Sequence, residues 1–183
     1  MIIGLSGYAR SGKDEVAKIL VQEYGYERVA FADPIRRMLY ELNPVIVESN
    51  LLDSVTLQEL VDSQGWDEAK KDPEVRLMLQ NLGVSARKII SEDVWVETAL
   101  RYVVEGSKVV ITDVRFPNEA KAISRLHGQM WRISRSGVSA VNNHISENAM
   151  DEYKFDQILK NEGTLDELHE LVRNRVRFAL NAN

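Results

Sequence analysis

The residues that most directly indicate chemistry lie between Gly7 and Asp14, in the stretch GYARSGKD. Gly7 and Gly12 permit a tight loop, and Lys13 follows in the spacing G-x-x-x-x-G-K. An apolar run precedes this loop and a periodic helical segment follows it, which is the context in which the spacing binds phosphate. Backbone N–H groups, the positive end of the helix and Lys13 would hold the terminal phosphates of a nucleotide. The sequence therefore predicts a phosphate-binding loop.

Asp14 departs from this motif, because Ser or Thr normally stands there and places a hydroxyl on Mg²⁺. A carboxylate can bind the ion directly or through water. Asp14 can also complement the helix dipole as a first-turn acid, and both interpretations stay open. Metal binding is favoured because Asp14 occupies the motif's metal position. Arg10 and Ser11 complete the loop part of the predicted ATP-binding set.

A second acid, Asp113, follows the apolar run Lys108 to Thr112, which predicts a buried strand. An acid at the carboxyl end of such a strand, in a domain that already holds a phosphate-binding loop, suits a metal or acceptor site. The alternative is a turn or helix-capping aspartate.

Several cations and polar residues are candidates for the acceptor side of a phosphoryl transfer. Asp33 ends the second predicted strand, where it can cap the next helix or orient acceptor or metal. Arg36 and Arg37 lie in the first turn of that helix, where cations oppose the dipole unless an anion binds them. Arg76 and Gln80 are four residues apart on another predicted helix, so they share a face that could contact the acceptor base.

A polar stretch without hydrophobic period runs from about 135 to 150, and Arg132 and Arg135 stand at its start. A long polar loop inside a compact domain is usually functional. We interpret it as a lid that brings the two arginines onto the transferring phosphoryl group, with solvated surface as the alternative. Lys13, Arg132, Arg135 and Asp33 form the predicted catalytic set.

The elements that must position these residues are five short strands alternating with helices. This alternation predicts an α/β fold of three layers with a five-stranded parallel sheet. Thr56 and Thr164 each begin a capping box, and Gly83 is predicted to end the helix that starts at Pro73. A helical insertion at about 34–105 separates the second and third strands, where an acceptor-binding subdomain of a compact kinase would be placed.

Composition is that of one globular domain, with 183 residues, 44% hydrophobic residues and a net charge of −5. The acidic balance argues against nucleic-acid binding. No apolar run is long enough for a membrane span, and the N-terminus does not have the pattern of a secretory signal. Cysteine is absent, so a cytoplasmic location is expected.

With these motifs assembled, the chain resembles the deoxynucleoside monophosphate kinases of bacteriophages, within the nucleoside monophosphate kinase group. The resemblance covers most of the chain and is carried by GYARSGKD, FADPIR, RLMLQNLG, ITDVRFPNE, HISE and ILKNEGTLDEL. It implies a sheet of strand order 2-3-1-4-5 and transfer of the γ-phosphoryl group of ATP to a dNMP, with Mg²⁺.

The resemblance also implies particular site residues. Arg115 would bind the acceptor phosphate, with Asp113 and Glu119 of the same segment in the acceptor site. Asn161 and Gly163 would frame the adenine. A homodimer in the cytoplasm of a phage host is compatible with it. The alternatives are a kinase of phosphomevalonate or dephospho-coenzyme A, and an ATP-binding module without turnover.

Overall fold

The computed structural model describes residues 1–46, 54–139 and 148–181. The chain forms two compact units, the first made of Met1–Ala30 and Leu100–Asn183 and the second of Phe31–Ala99. The residue range of the second unit is close to that of the helical insertion predicted at about 34–105. Its assignment as an acceptor-binding subdomain stays a prediction.

A five-stranded parallel sheet forms the centre of the first unit. Its strands are β1 (Ile2–Ser6), β2 (Glu27–Val29), β5 (Val109–Ile111), β6 (Gln129–Ser134) and β7 (Gln157–Lys160). They lie in the order β2-β5-β1-β6-β7, with every neighbouring pair parallel. Counted along the chain without the strands of the second unit, this is the predicted order 2-3-1-4-5. The central strand β1 leads directly into the glycine-bounded loop.

Helices cover the two faces of the sheet and complete three layers. They are α1 (Lys13–Tyr24), α6 (Pro117–Arg125) and α7 (Leu165–Asn181). Ile3 and Leu5 of β1 belong to a buried cluster that includes residues of α1 and α7. On the opposite face, a side chain at Gly4 would overlap Ile123 of α6. Successive strand residues point to opposite faces, so β1 is buried on both sides.

The helix α1 ends at a glycine, and α7 begins with the capping box predicted at Thr164. Gly25 ends α1 with φ of 68°, and its N–H donates to the carbonyl of Val21 at 3.2 Å. At α7, the N–H of Glu167 donates to the Thr164 hydroxyl at 3.3 Å, and the Thr164 N–H donates to the Glu167 carboxylate at 2.7 Å. This reciprocal pair is the predicted capping box.

The second unit contains α2 (Ala32–Leu42), β3 (Val45–Ile46), β4 (Val55–Thr56), α3 (Leu57–Ala69), α4 (Pro73–Ile89) and α5 (Val94–Ala99). Strands β3 and β4 pair as a short antiparallel ribbon, which the sequence did not predict. The predicted capping box at Thr56 is present at the start of α3.

Two helix boundaries in the second unit were wrongly predicted. Asp33 does not cap α2, because the helix begins at Ala32 and Asp33 lies in its first turn. Gly83 does not end α4, which continues to Ile89. A side chain at Gly83 would contact Ile35 at 3.4 Å, and the Trp95 indole donates to the Gly83 carbonyl at 2.9 Å. Packing of α4 against α2 and α5 therefore outweighs the low helix propensity of glycine.

Within the described ranges, no helix is both long and apolar enough to cross a bilayer. The expected cytoplasmic location, the homodimer and the absence of nucleic-acid binding stay predictions.

Candidate active site

The glycine-bounded loop connects β1 to α1 through backbone conformations that ordinary residues rarely adopt. Gly7 has φ of 141°, Gly12 has φ of 105°, and Arg10 between them has φ of 65°. The N–H of Ser11 donates to the carbonyl of Tyr8 at 3.2 Å, which closes the turn. Because glycine adopts positive φ at little cost, the two glycines permit the curl that the motif requires.

Close contacts with neighbouring elements surround both glycines. A side chain at Gly7 would overlap the backbone carbonyl of Ile133 in β6. A Cβ at Gly12 would lie 2.5 Å from the side-chain nitrogen of Asn161. The backbone at Gly7 and Gly12 therefore packs so closely against Ile133 and Asn161 that neither position has room for a side chain.

Asn161 supports the loop from below. Its side chain is buried, and its Nδ2 donates to the backbone carbonyl of Ser11 at 2.9 Å. The Asn161 N–H donates to the carbonyl of Ser134 at the end of β6. Asn161 was predicted from the resemblance as part of an adenine site, and the contact that its side chain makes is with the loop. Gly163 is exposed and directly precedes the cap of α7.

Lys13 lies at the first position of α1 and is half-buried. Its ammonium group donates to the carbonyl of Gly7 at 2.6 Å and to that of Tyr8 at 2.8 Å. These bonds fold the side chain back over its own loop. The charge therefore lies beside the loop backbone, where it can contact an anion bound by the loop.

A pocket opens at the carboxyl ends of β1 and β6 and at the segment after β5. Its walls are formed by Ser6, Gly7, Tyr8, Ala9, Lys13, Val114, Arg115, Arg132 and Met150. The N–H of Val114 donates to the carbonyl of Leu5, which ties the segment that follows β5 to β1. Three cations from separate parts of the chain, Lys13, Arg115 and Arg132, thus line one pocket. This edge of a parallel sheet is where α/β proteins bind ligands.

Other predicted residues of the first unit do not line this pocket. Arg10, Asp14 and Arg135 are exposed, and Asp113 is half-buried two residues after the end of β5. Half of the predicted lid, residues 140–147, lies outside the described residues.

Arg132 is surrounded by a cluster of side chains that sequence reasoning missed. Its Nη2 donates to Oδ1 of Asp151 at 2.8 Å, and its guanidinium lies 5.2 Å from the centre of the Tyr8 ring. The Tyr8 hydroxyl also donates to Asp151, and that hydrogen bond raises the pKa of the Tyr8 phenol. Desolvation favours neutral Asp151, but hydrogen bonds from Arg132 and Tyr8 outweigh it and lower the Asp151 pKa. No motif spacing connects positions so far apart.

Glu119 was predicted as part of the acceptor site, and the structure places it under the backbone of that segment. It is buried, and its carboxylate accepts from the N–H groups of Arg115 at 2.7 Å and Phe116 at 3.0 Å. Both bonds satisfy N–H groups at the start of α6, which begins at Pro117. Glu119 therefore fixes the backbone that presents Arg115 to the pocket.

We expect Glu119→Ala to lower the free energy of unfolding by about 2 kcal/mol, because two N–H groups lose their acceptor. For a chain of this size the midpoint of thermal unfolding should fall by about 4–8 °C. Glu119→Gln keeps an acceptor oxygen, so its free energy of unfolding should fall by less than that of Glu119→Ala. Equal unfolding temperatures for wild type and Glu119→Ala, measured by calorimetry, would contradict this role.

The remaining predicted residues belong to the second unit. Arg36 pairs with Asp33 at 3.2 Å along α2, and Arg37 is exposed. On α4, Arg76 is exposed and Gln80 is half-buried. Their roles in acceptor binding stay predictions.

Oxygen ligands suitable for Mg²⁺ are present in the first unit, in the carboxylates of Asp14 and Asp113. Among residues 1–46, 54–139 and 148–181, no three His, Cys, Asp or Glu side chains group as a metal site. Asp14 follows Lys13 directly, and Asp113 lies two residues after the end of β5. One or two carboxylates fit an ion that keeps several waters and takes its other ligands from phosphates.

Comparisons with known proteins agree with this architecture. A model of the deoxynucleotide monophosphate kinase family matches residues 56–172. A protein of Acanthamoeba polyphaga mimivirus, provisionally named a deoxynucleotide monophosphate kinase, is 27% identical over 100% of both chains.

Among solved structures, dephospho-CoA kinase from Campylobacter jejuni has a TM-score of 0.50 at 14% identity, covering 96% of this chain and 95% of that one. Shikimate kinase from Aquifex aeolicus has a TM-score of 0.47 at 14% identity, with 100% of each chain covered. The dephospho-CoA kinase likeness shows the fold alone. The match of the family model over most of the chain goes further: this protein is a phosphotransferase and belongs to the deoxynucleotide monophosphate kinase family.

Proposed function

We propose that the chain transfers the γ-phosphoryl group of ATP to a deoxynucleoside monophosphate, giving ADP and a deoxynucleoside diphosphate. The observation that carries this proposal is the pocket in which Lys13, Arg115 and Arg132 meet beside the glycine-bounded loop. Both substrates present phosphate groups, so the reaction needs a concentration of positive charge in one place. Membership of the family supports the choice of a deoxynucleotide as acceptor.

On the donor side, the inward N–H groups of the loop and Lys13 would hold the β- and γ-phosphates. Phosphoryl transfer needs little covalent chemistry from the protein, so positioning and charge stabilisation supply most of the catalysis. Asp14 or Asp113 would hold Mg²⁺, which neutralises charge on the phosphate oxygens. Arg10, Ser11, Gly7 and Gly12 would complete the donor loop.

Arg132 would stabilise the charge that develops on the migrating group, because it lines the pocket on the side of β6. Arg115 would hold the acceptor phosphate, for which a planar guanidinium can make two parallel hydrogen bonds. The other acceptor candidates, Asp33, Arg36, Arg37, Arg76 and Gln80, are proposed from the sequence alone. Arg135 stays a candidate for charge stabilisation.

A panel of acceptors tests this function. Purified chain with ATP and Mg²⁺ should release ADP when at least one of the four dNMPs is added. We expect kcat/KM for the best dNMP to exceed that for dephospho-coenzyme A and phosphomevalonate at least tenfold, since specific polar contacts to a substrate can discriminate strongly.

Preference for dephospho-coenzyme A or phosphomevalonate would reassign the acceptor. If the chain binds ATP but releases no ADP with any of the acceptors, it would instead be a nucleotide-binding module without turnover. A matched set of ribonucleoside monophosphates in the same assay measures the preference for deoxyribose.

A further inference from the structure

Arg132 is a long side chain that needs support to act in the pocket. It lies on β6 opposite Ser6 of β1, and its side chain is 17% exposed. A free arginine side chain samples many rotamers, and this conformational entropy would oppose a single catalytic orientation. Residues that fix the guanidinium before the substrate binds therefore increase its effect on the transition state.

Asp151 and the residue before it hold two nitrogens of the Arg132 guanidinium. Nη2 donates to Oδ1 of Asp151 at 2.8 Å, and Nη1 donates to the carbonyl of Met150 at 3.0 Å. The rings of Tyr8 and Phe155 lie 5.2 Å and 5.4 Å from its central carbon. These contacts together restrict both the position and the plane of the guanidinium.

Tyr8 connects this arrangement to the glycine-bounded loop. Its hydroxyl lies 2.8 Å from each carboxylate oxygen of Asp151, and its ring contacts Arg132. Tyr8 also offers its backbone carbonyl to the Lys13 ammonium group. One carboxylate therefore links the loop that holds Lys13 to the arginine on the neighbouring strand.

The contacts leave the guanidinium able to bind phosphate. Arginine has five N–H donors, and the bonds to Asp151 and Met150 use two of them. We propose that Asp151, with Tyr8, is a positioning residue that holds Arg132 in the orientation in which it stabilises the transferring phosphoryl group. This inference rests on the catalytic role proposed above for Arg132.

A competing effect of Asp151 is that its negative charge weakens the attraction of Arg132 for phosphate. The Asp151 side chain is 38% exposed, so water screens its repulsion of phosphate. The hydrogen bonds to Arg132 and Tyr8 are short and direct, so their effect on orientation should dominate. The two effects predict opposite changes in kinetics.

A double-mutant cycle between positions 132 and 151 tests the proposal. We expect Arg132→Ala to lower kcat about 1,000-fold, the lower end of the range for catalytic arginines in phosphoryl transfer. Asp151→Ala should lower kcat about 10- to 100-fold with little change in KM for ATP. In the Arg132→Ala background, Asp151→Ala should lower kcat by a further factor of less than about three. The effects of residues that act through one another are not additive.

Control variants separate positioning from general damage. Tyr8→Phe keeps the ring and removes one bond to Asp151, so it should lower kcat less than Asp151→Ala does. Glu152→Gln changes the exposed acid next in sequence and should leave kcat unchanged. If Asp151→Ala unfolds at the assay temperature, Asp151→Asn takes its place in the cycle under the same criteria.

Each result supports or overturns the inference. Equal fold losses from the Asp151 substitution in both backgrounds would show that Asp151 acts independently of Arg132 and would overturn it. A lower KM for ATP with unchanged kcat would show that the charge effect dominates and would also overturn it. Near-native turnover of Arg132→Ala would remove the proposed role of Arg132 itself. A severe Arg132→Ala defect with native Asp151→Ala kinetics would reject the positioning role alone.

Discussion

Lys13→Ala is expected to lower kcat for ADP formation by about 100- to 10,000-fold while the chain stays folded. The Lys13 ammonium lies against the loop backbone, at 2.6 Å from the Gly7 carbonyl and 2.8 Å from that of Tyr8. Removing a preorganised cation from a site where phosphate charge develops costs several kcal/mol of transition-state stabilisation. The measurement is steady-state ADP release with the best dNMP acceptor.

The fold should tolerate this change because Lys13 contributes its charge to the site and no side chain to the buried cluster between α1 and the sheet. Loss of its hydrogen bonds to the Gly7 and Tyr8 carbonyls should lower the midpoint of thermal unfolding by only a few degrees. Lys18→Ala is the matched control, since Lys18 is an exposed cation on the same helix, and its kcat should match wild type. Near-native turnover of Lys13→Ala would reject the loop as the donor site.

Gly7→Ala is expected to abolish nucleotide binding and to destabilise the fold by about 3 kcal/mol or more. An added Cβ would overlap the backbone carbonyl of Ile133, and backbone in a central strand cannot move aside as a flexible side chain can. The positive φ of 141° adds strain for any residue with a Cβ. To relieve this overlap the loop would have to move away from β6, and its backbone would lose the conformation expected to bind phosphate.

Gly106→Ala is the control for this prediction. Gly106 has φ of 88°, so it shares the backbone strain, but nothing lies within 4 Å of its Cβ position. For Gly106→Ala the free energy of unfolding should fall by about 1 kcal/mol, and the affinity for nucleotide should not change. Calorimetry gives the stability, and fluorescence titration with a labelled ATP analogue gives the affinity. Equal behaviour of the two alanine variants would show that the contact with Ile133 does not restrain the loop.

Local sequence predicted the elements well where a signal is complete within one turn or one strand. The spacing GYARSGKD places Lys13 at the start of α1, and the strand predicted from Lys108 to Thr112 contains β5. The capping boxes at Thr56 and Thr164 lie at the starts of α3 and α7. In each case the residues that interact are within about four positions of one another, so their spacing carries the information.

Boundaries that depend on packing were not predictable in the same way. Gly83 has the type of a helix stop, yet α4 passes through it because α2 packs closely against that position. The short ribbon of β3 and β4 has only two residues in each strand, too few to give a period.

By itself, the sequence predicted a glycine-bounded loop between a strand and a helix of an α/β fold, with Lys13 at the start of that helix. Only the tertiary structure decided which distant side chains support that loop. Asn161 reaches Ser11 across 150 positions, and Asp151 reaches Tyr8 across 143. Parallel strands bring their carboxyl ends to one edge regardless of separation along the chain. The contacts made there are consequently set by strand order and register, which no spacing between those residues encodes.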